Sequence, residues 1–149
     1  MPRMRAALWI GLLLLPLAVS AQDLGSGLID AVRSGNESEV KALLESGAKP
    51  NIKVDPESKW TVLMRAADEG HAGIVRLLLE NGAKVNAKAR DKTTPLMLAA
   101  RGGSEPIVQA LIEAGAKVNA KRKDGSTALI LSAGGVVQNL LDAGSDPNA

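Results

Sequence analysis

The chain has 149 residues, no cysteine, and 18 lysine and arginine residues against 16 aspartate and glutamate residues. The absence of cysteine excludes disulfide bonds and lipid attachment through a cysteine. Both excess basic residues lie in the first 21 residues, so residues 22–149 are neutral overall. This balance gives no electrostatic reason to expect nucleic acid as a partner. No Phe or Tyr is present, so the core must be aliphatic.

The N-terminus, residues 1–21, has the pattern of a secretory signal peptide. Two arginines precede an apolar stretch that runs from Ala6 to Val19, and small residues follow it. We expect cleavage between Ala21 and Gln22, which leaves residues 22–149 as the mature chain. An uncleaved membrane anchor is the alternative. However, Pro16 interrupts a stretch already shorter than the about 20 residues that a membrane span needs.

An export signal predicts that the mature chain leaves the cytoplasm and does not span a membrane. The periplasm of a Gram-negative bacterium is the first expectation, and full secretion is the second. A secreted effector that acts inside another cell is a third destination, for which the sequence offers no separate signal.

The rest of the sequence repeats itself. The segment from Thr61 to Ala87 recurs, with substitutions, from Thr94 to Ala120, at a period of 33 residues. A fixed period of this size is typical of a repeat solenoid, in which each unit buries its apolar face only against its neighbours. We expect one domain over residues 22–149 with four units, at about residues 24–53, 54–87, 88–120 and 121–149.

One family carries the same signature. Thr94-Pro95-Leu96-Met97-Leu98-Ala99 matches the T-P-L-H-x-A pattern of ankyrin repeats except for Met97 at the histidine position. Looser copies begin at Thr61 and Thr127, and Gly70-His71 and Val85-Asn86-Ala87 match later positions. Over residues 24–149 the chain therefore resembles the ankyrin repeat family. The resemblance implies an all-α repeat solenoid of about four stacked helix-turn-helix units connected by β-hairpin loops.

The units differ along the chain. Unit one lacks a hairpin and has acidic residues on its outer helix, as expected of an N-terminal cap. The connection to unit two is two residues longer than its counterpart, and we place the insertion at a bulge over Asp55–Ser58. In unit three, Asp91-Lys92-Thr93 replaces the Asp-Gly that the family favours, so we expect a looser turn.

Unit four is four residues short, between Ala133 and Val136, which leaves a second helix at about Val136 to Asp142. This shortened unit is consistent with a degenerate C-terminal cap. A truncated chain is the other interpretation, and the sequence leaves both open.

Enzymatic activity is not expected. His71 is the only histidine, and the resemblance implies that it braces the Gly-His turn. The sequence has no nucleophile elbow, phosphate loop or paired-acid pattern. Ankyrin repeats resemble one another in being non-catalytic scaffolds, so no cofactor and no metal are expected. The expected partner is another protein.

The resemblance places such a partner on the hairpin tips and on the concave face formed by the first helices. Carried onto this chain, the candidate protein-binding residues are Trp60, Arg65, Asp68, Glu69, Arg90, Lys92, Leu98, Arg101, Arg122, Lys123 and Leu131.

The distribution of charge favours the hairpin residues of that set as the binding surface. Residues 48–60, 83–93 and 116–126 contain eleven basic and four acidic residues, and the remainder of residues 22–149 contains five basic and twelve acidic residues. Lysine-rich hairpins could simply remain soluble and resist strand pairing. Alternatively, they attract an acidic partner, with Trp60 as the apolar anchor. Leu98 and Leu131 either extend that anchor or pack against adjacent units.

A different class of function remains open from sequence. An envelope-associated protein could bind anionic polysaccharide or lipid headgroups through the same basic hairpins. In both cases we expect the mature chain to be a monomer.

Overall fold

The computed structural model describes residues 20–149, which form four helix pairs. The helices are α1 Ala21–Ser34, α2 Glu37–Glu45, α3 Val62–Glu69, α4 Ala72–Glu80, α5 Pro95–Gly102, α6 Glu105–Glu113, α7 Ala128–Leu131 and α8 Val136–Asp142. The predicted signal sequence up to Val19 lies outside the described residues.

The helix pairs stack in two layers. The first helices contact one another in the order α1, α3, α5, α7, and the second helices in the order α2, α4, α6, α8. Each pair also packs internally. This arrangement confirms the predicted all-α repeat solenoid. Within residues 20–149, β-structure is limited to one antiparallel bridge, Lys53 to Thr61, so the hairpin loops do not form extended strands.

A threonine starts each first helix of units two to four. Thr61, Thr94 and Thr127 each accept a hydrogen bond at Oγ1 from the backbone N–H three residues later, at 3.3 to 3.4 Å. This is the N-cap interaction, which satisfies one of the backbone donors left free at a helix start. The threonines are buried, so the cap also fixes each helix against its neighbours.

Helix α1 begins at Ala21, before the start of unit one that was expected at about residue 24. Ser20 and Asp23 form a capping box, in which the Ser20 hydroxyl accepts from Asp23 N–H and the Asp23 carboxylate accepts from Ser20 N–H. The expected cleavage point between Ala21 and Gln22 therefore falls in the first turn of α1. Cleavage there would remove the Ser20 cap.

The core consists of aliphatic side chains, as the composition requires. Leu28, Leu63 and Leu96 occupy the same position in units one to three and are nearly inaccessible to solvent. Alanines and methionines of α3 and α5 fill the space between the stacked helices. Trp60 lies at the edge of this core, half-buried.

Three asparagines join successive units. Asn86 Nδ2 donates to Gly115 O at 3.1 Å, and Asn86 Oδ1 accepts from Lys117 N–H at 2.8 Å. Asn51 and Asn119 make the same two bonds to the next unit. Each asparagine thus bonds the loop that follows the second helix of the next unit.

The turn at Lys92 is tight, so the expectation of a looser turn was wrong. Lys92 adopts a left-handed conformation with φ of 66°, as Gly125 does at the equivalent position with φ of 85°. The Ala89 N–H donates to Thr93 O at 2.9 Å, which closes the turn. The Asp91 carboxylate stabilises the turn by accepting from both the N–H and the hydroxyl of Thr93, and the Asp124 carboxylate likewise accepts from Ser126 N–H in the Asp-Gly turn of unit four.

Unit four has lost most of its first helix. Helix α7 has four residues, whereas α3 and α5 each have eight. After α7 the chain returns to unit three, where Ala133 N–H donates to Ala100 O at 2.9 Å. Gly134 and Gly135 then lead into α8, whose bounds are those expected from sequence. This unit exposes Ile130, Val137 and Leu141.

Candidate functional site

The three hairpin tips are bonded into one ridge. Arg90 N–H in the second tip donates to Ser58 O in the first at 2.9 Å, and Lys123 N–H in the third tip donates to Asp91 O in the second at 3.0 Å. These bonds lie between units, so the tips keep a fixed spacing. Side chains on different tips therefore present a single surface, which we call the hairpin ridge (residues 53–61, 89–93 and 122–126).

A cleft of about 370 Å³ lies along the hairpin ridge. Its lining residues are Ser58, Trp60, Arg90, Asp91 and Lys123. Three of them are candidates from sequence, and the fold brings them together from three different loops. Ser58 and Asp91 were not among the candidates. The signal for Ser58 was its place in the two-residue insertion, which puts an extra loop beside Trp60.

Trp60 is held in position from one side. The Arg65 guanidinium carbon lies 5.1 Å from the centroid of the indole ring, within the range of a cation–π interaction. Arg65 also pairs with Glu69 at 3.7 Å, one helical turn along α3. Trp60 is half-buried and lines the cleft, so the ring offers a rigid apolar surface beside the cationic tips.

Arg122 forms its ion pairs within the hairpins themselves. Its Nη2 lies 2.7 Å from Asp91 Oδ2, and its Nη1 lies 3.6 Å from Asp124 Oδ2. Partial desolvation raises the pKa of Asp91, but hydrogen bonds from Thr93 and Arg122 outweigh it and lower the pKa to about 2. Arg122 therefore fixes the second tip to the third, and its charge is largely neutralised there.

Three of the candidate residues are free cations on the ridge, and these are Arg90, Lys92 and Lys123. All three are exposed, and none pairs with a carboxylate within 4.0 Å in the part of the chain that the structure describes. They differ in this respect from Arg122, and they are the basic candidates available to an acidic partner.

The concave side carries opposite charges that neutralise each other. Arg101 on α5 and Asp68 on α3 form a 2.6 Å ion pair between units. Arg65 and Glu69 pair within α3. These four candidates thus form a polar surface of low net charge next to the cleft, rather than a second basic patch.

Leu98 was misplaced on the open surface. It is 2% exposed, because α5 has a neighbouring helix on each side and both flanks of the helix are covered. Leu131 is half-buried and packs against the core. The sequence left their packing open as an alternative, and the structure places Leu98 fully and Leu131 partly inside.

His71 contacts the preceding unit. Its ring lies against Gly35, so near that a side chain at Gly35 would come within 2.8 Å of His71 Cε1. His71 Nε2 is 3.3 Å from Glu69 Oε2. Among residues 20–149, no group of three or more histidine, aspartate or glutamate side chains is placed to hold a metal ion.

A larger groove runs along the back of the stack between α4 and α6. It has a volume of about 420 Å³ and is lined by Arg76, Leu79, Glu80, Gln109, Ala110, Glu113 and Ala114. The groove is the ordinary furrow between two parallel-running second helices, and it contains none of the candidate residues. The hairpin cleft, although smaller, combines an open aromatic ring with unpaired cations.

In residues 20–149, no helix has both the length and the apolar character needed to cross a membrane. No protein with a curated description matches the chain. A family model described as ankyrin repeats (3 copies) matches residues 4–89 and 87–149. Ankyrin repeats are generally non-catalytic scaffolds for protein–protein interaction. Together with the stacked helix pairs, this match shows that the chain belongs to the ankyrin repeat family.

Proposed function

We propose that this protein is an exported, non-catalytic scaffold that binds another protein through the hairpin ridge. The observation that carries the proposal is the cleft in which Trp60, Arg90 and Lys123 converge from three loops. The partner surface that fits this cleft is acidic, with an apolar side chain that can pack on the indole ring.

The basic residues and the tryptophan of the cleft contribute differently to binding. Exposed ion pairs contribute only about 0–1 kcal/mol each, so Arg90, Lys92 and Lys123 alone would not hold a complex. Same-sign charges instead accelerate encounter with an oppositely charged surface and fix its register. Trp60 supplies the desolvated anchor, because tryptophan at the centre of an interface contributes about 2 kcal/mol or more.

The concave side supports the ridge. The Asp68–Arg101 pair and Arg65 lie beside Trp60, so a bound protein that covers the cleft also meets these groups. A standard interface needs about 800 Å² from each partner, which is more than the cleft alone and favours use of both surfaces.

The experiment compares capture by two double variants. Trp60→Ala with Arg90→Ala should abolish retention of the partner, and Lys41→Ala with Arg76→Ala, on exposed parts of α2 and α4, should leave it unchanged. Equal helical circular dichroism shows that both variants are folded. Undiminished capture by the first variant would show that the hairpin ridge is not the binding surface.

Export is part of the proposal and has its own test. Intact-mass measurement of protein recovered from the cell envelope should give a chain that begins at Gln22. A chain that retains residues 1–21 would contradict cleavage and support the anchor.

A second candidate function depends on the same unpaired cations. Arg90, Lys92 and Lys123 could bind anionic polysaccharide or lipid headgroups without a requirement for Trp60. Binding to anionic vesicles that disappears at high salt and survives Trp60→Ala would favour this candidate. Saturable binding to one protein that requires Trp60 would favour the first.

A further inference from the structure

The loops that follow the second helices carry one short pattern three times. Lys-x-Asn-x-Lys occupies residues 49–53, 84–88 and 117–121, at equivalent places in units one to three. All six lysines are exposed, and none pairs with a carboxylate within 4.0 Å in the part of the chain that the structure describes. We call them the lysine rows. The first row is Lys49, Lys84 and Lys117, and the second row is Lys53, Lys88 and Lys121.

The asparagine at the centre of each pattern holds the rows in register. Asn51 Oδ1 accepts from Lys84 N–H, and Asn86 Oδ1 accepts from Lys117 N–H, both at 2.8 Å. Within unit two, Ala87 N–H donates to Lys84 O at 3.1 Å, and this turn brings the two lysines of the pattern toward each other. The backbone of the rows is therefore fixed from one unit to the next, and only the side chains remain free to adapt.

The backbone does not require lysine at these positions. In unit four, Asp146 stands at the first-row position, and its N–H donates to Asn119 Oδ1 at 2.8 Å as the lysine N–H groups do in the earlier units. An aspartate therefore makes the same inter-unit bond. What lysine adds in units one to three is an exposed positive charge.

The spacing of the rows follows from the helix stack. The second helices α2, α4 and α6 pack side by side, and packed helices lie about 8–10 Å apart. Each row thus repeats a positive charge at about this interval along the stack axis, and each unit presents two ammonium groups, one from each row. A ligand that meets all six lysines must be a linear chain whose anionic groups recur at a similar interval.

Two classes of polyanion fit this arrangement poorly. Phosphates of a nucleic acid strand in a duplex recur every 3.4 Å, far more closely than the lysines. Single strands bind proteins by stacking bases on aromatic rings, and the three patterns contain none. A folded acidic protein would need an apolar anchor, but Val85 and Val118 within the patterns pack against the core.

A flexible acidic peptide also fits less well than a stiff chain. An extended peptide must fix about three residues to reach from one unit to the next. Ordering each residue costs more free energy than an exposed ion pair returns. A polysaccharide carries its anionic groups on rigid rings, and a disaccharide repeat brings them back once per two rings, an interval close to that of the units.

We propose that the lysine rows bind a linear acidic polysaccharide, with two anionic groups in each disaccharide, that runs along the stack axis. This site differs from that of the second candidate function, which uses Arg90, Lys92 and Lys123. It does not rest on the proposed function either, because no lysine of the rows lines the hairpin cleft. The polysaccharide leaves Trp60 free, so one molecule can hold a protein partner and the polysaccharide at the same time.

The first test measures the affinity of the full chain for a chondroitin sulfate hexasaccharide, which has one carboxylate and one sulfate in each disaccharide, by calorimetry at physiological salt. The row variant carries Lys84→Gln, Lys88→Gln, Lys117→Gln and Lys121→Gln. The ridge variant, which loses the same number of charges, carries Lys59→Gln, Arg90→Gln, Lys92→Gln and Lys123→Gln. The row variant should bind about tenfold more weakly or worse, because four ion pairs are lost. The ridge variant should lose less than about threefold, because salt screens charges that do not contact the ligand.

The comparison of the two variants decides between local and general attraction. Equal losses would show that only the total charge matters, and a larger loss from the ridge variant would favour the second candidate function. Either result would overturn the proposal, as would undiminished binding by the row variant. Capture of the protein partner should survive in the row variant, so a failure of this inference is distinguishable from a failure of the proposed function.

The second test varies the length of both partners. Affinity should rise from the disaccharide to the hexasaccharide, because each added disaccharide reaches one more unit. Asp146→Lys extends the first row into unit four and should tighten binding of an octasaccharide more than that of the hexasaccharide. Glu80→Lys, the same change of charge at an exposed site on α4, should not distinguish the two lengths.

Affinity that does not depend on oligosaccharide length, or equal effects of the two lysine substitutions, would overturn the proposal. Vesicles that contain phosphatidylserine provide the remaining comparison. Retention on these vesicles without measurable affinity for the oligosaccharides would assign the lysine rows to a membrane surface and would also overturn the proposal.

Discussion

At the residue scale, two lysines of the hairpin tips adopt a backbone conformation that glycine would adopt more easily. Lys59 and Lys92 both have positive φ, at 61° and 66°. A residue with a Cβ is less stable in this left-handed region than glycine by about 1–2 kcal/mol. Retention of lysine there puts a cation on the ridge at a cost in stability, a pattern common at functional sites.

The first prediction concerns this backbone conformation. Lys92→Gly should raise the free energy of unfolding by about 1 kcal/mol, because glycine adopts positive φ without the steric penalty. The matched control is Lys88→Gly in the same loop, where φ is not positive and glycine brings no gain. Urea denaturation measures both. Equal effects of the two substitutions would contradict the assigned strain.

The second prediction concerns acid stability. Asp91 has a folded-state pKa of about 2, below the ordinary value of 3.8, so its contribution is present above about pH 4 and is lost as the pH falls toward 2. Asp91→Asn should lower the Tm at pH 6, and the difference between the two proteins should shrink between pH 4 and 2. A difference that stays constant over this range would show that the carboxylate charge is not responsible.

Sequence reasoning was least successful at this scale. It predicted that Asp91-Lys92-Thr93 would form a loose turn, because the substitution of glycine is visible in sequence and the hydrogen bonds that close the turn are not. It placed Leu98 at an open surface, because the α5 sequence does not reveal that neighbours cover both flanks. Trp60 was identified from its residue type, but its contact with Arg65 requires the fold.

At the element scale, the helices follow from patterns that the sequence displays. Threonine caps begin α3, α5 and α7, and aliphatic residues at helical spacing determine which side is buried. The bounds of α8 agree with expectation for this reason. Helix α1 starts before the expected beginning of unit one at about residue 24, because Ser20 and Asp23 form a capping box where the end of a signal peptide was expected.

The asparagine bonds explain how one unit fixes the next. The two hydrogen bonds of each asparagine restrict how far one unit can slide along the next. Apolar contacts alone restrict this translation less. The pattern is visible in sequence as the recurring asparagine, but the partner atoms are backbone groups of another unit and are identified only in the structure.

The third prediction tests these bonds. Asn86→Ala should lower the free energy of unfolding by about 1–3 kcal/mol, because two hydrogen bonds between units are lost at about 0.5–1.5 kcal/mol each. Asn81→Ala removes an exposed amide that bonds only Leu77 O in its own helix, and should change stability by less than about 0.5 kcal/mol. Equal losses from the two substitutions would show that the inter-unit bonds add nothing.

At the scale of the whole molecule, the charges are separated between two sides of the stack. The hairpins hold eleven of the sixteen basic residues that follow position 21, and the acidic residues concentrate on the helices. This separation could be predicted from sequence once the repeat period fixed which residues form hairpins.

The central claim is that the hairpin ridge is the surface that contacts a partner. A photo-crosslinking amino acid placed at position 60 or 90 in the native compartment tests it most directly, with position 76 on the back of the stack as the control. We expect one and the same protein adduct from positions 60 and 90 and none from position 76. Adducts from position 76 alone, or none from positions 60 and 90, would contradict the claim.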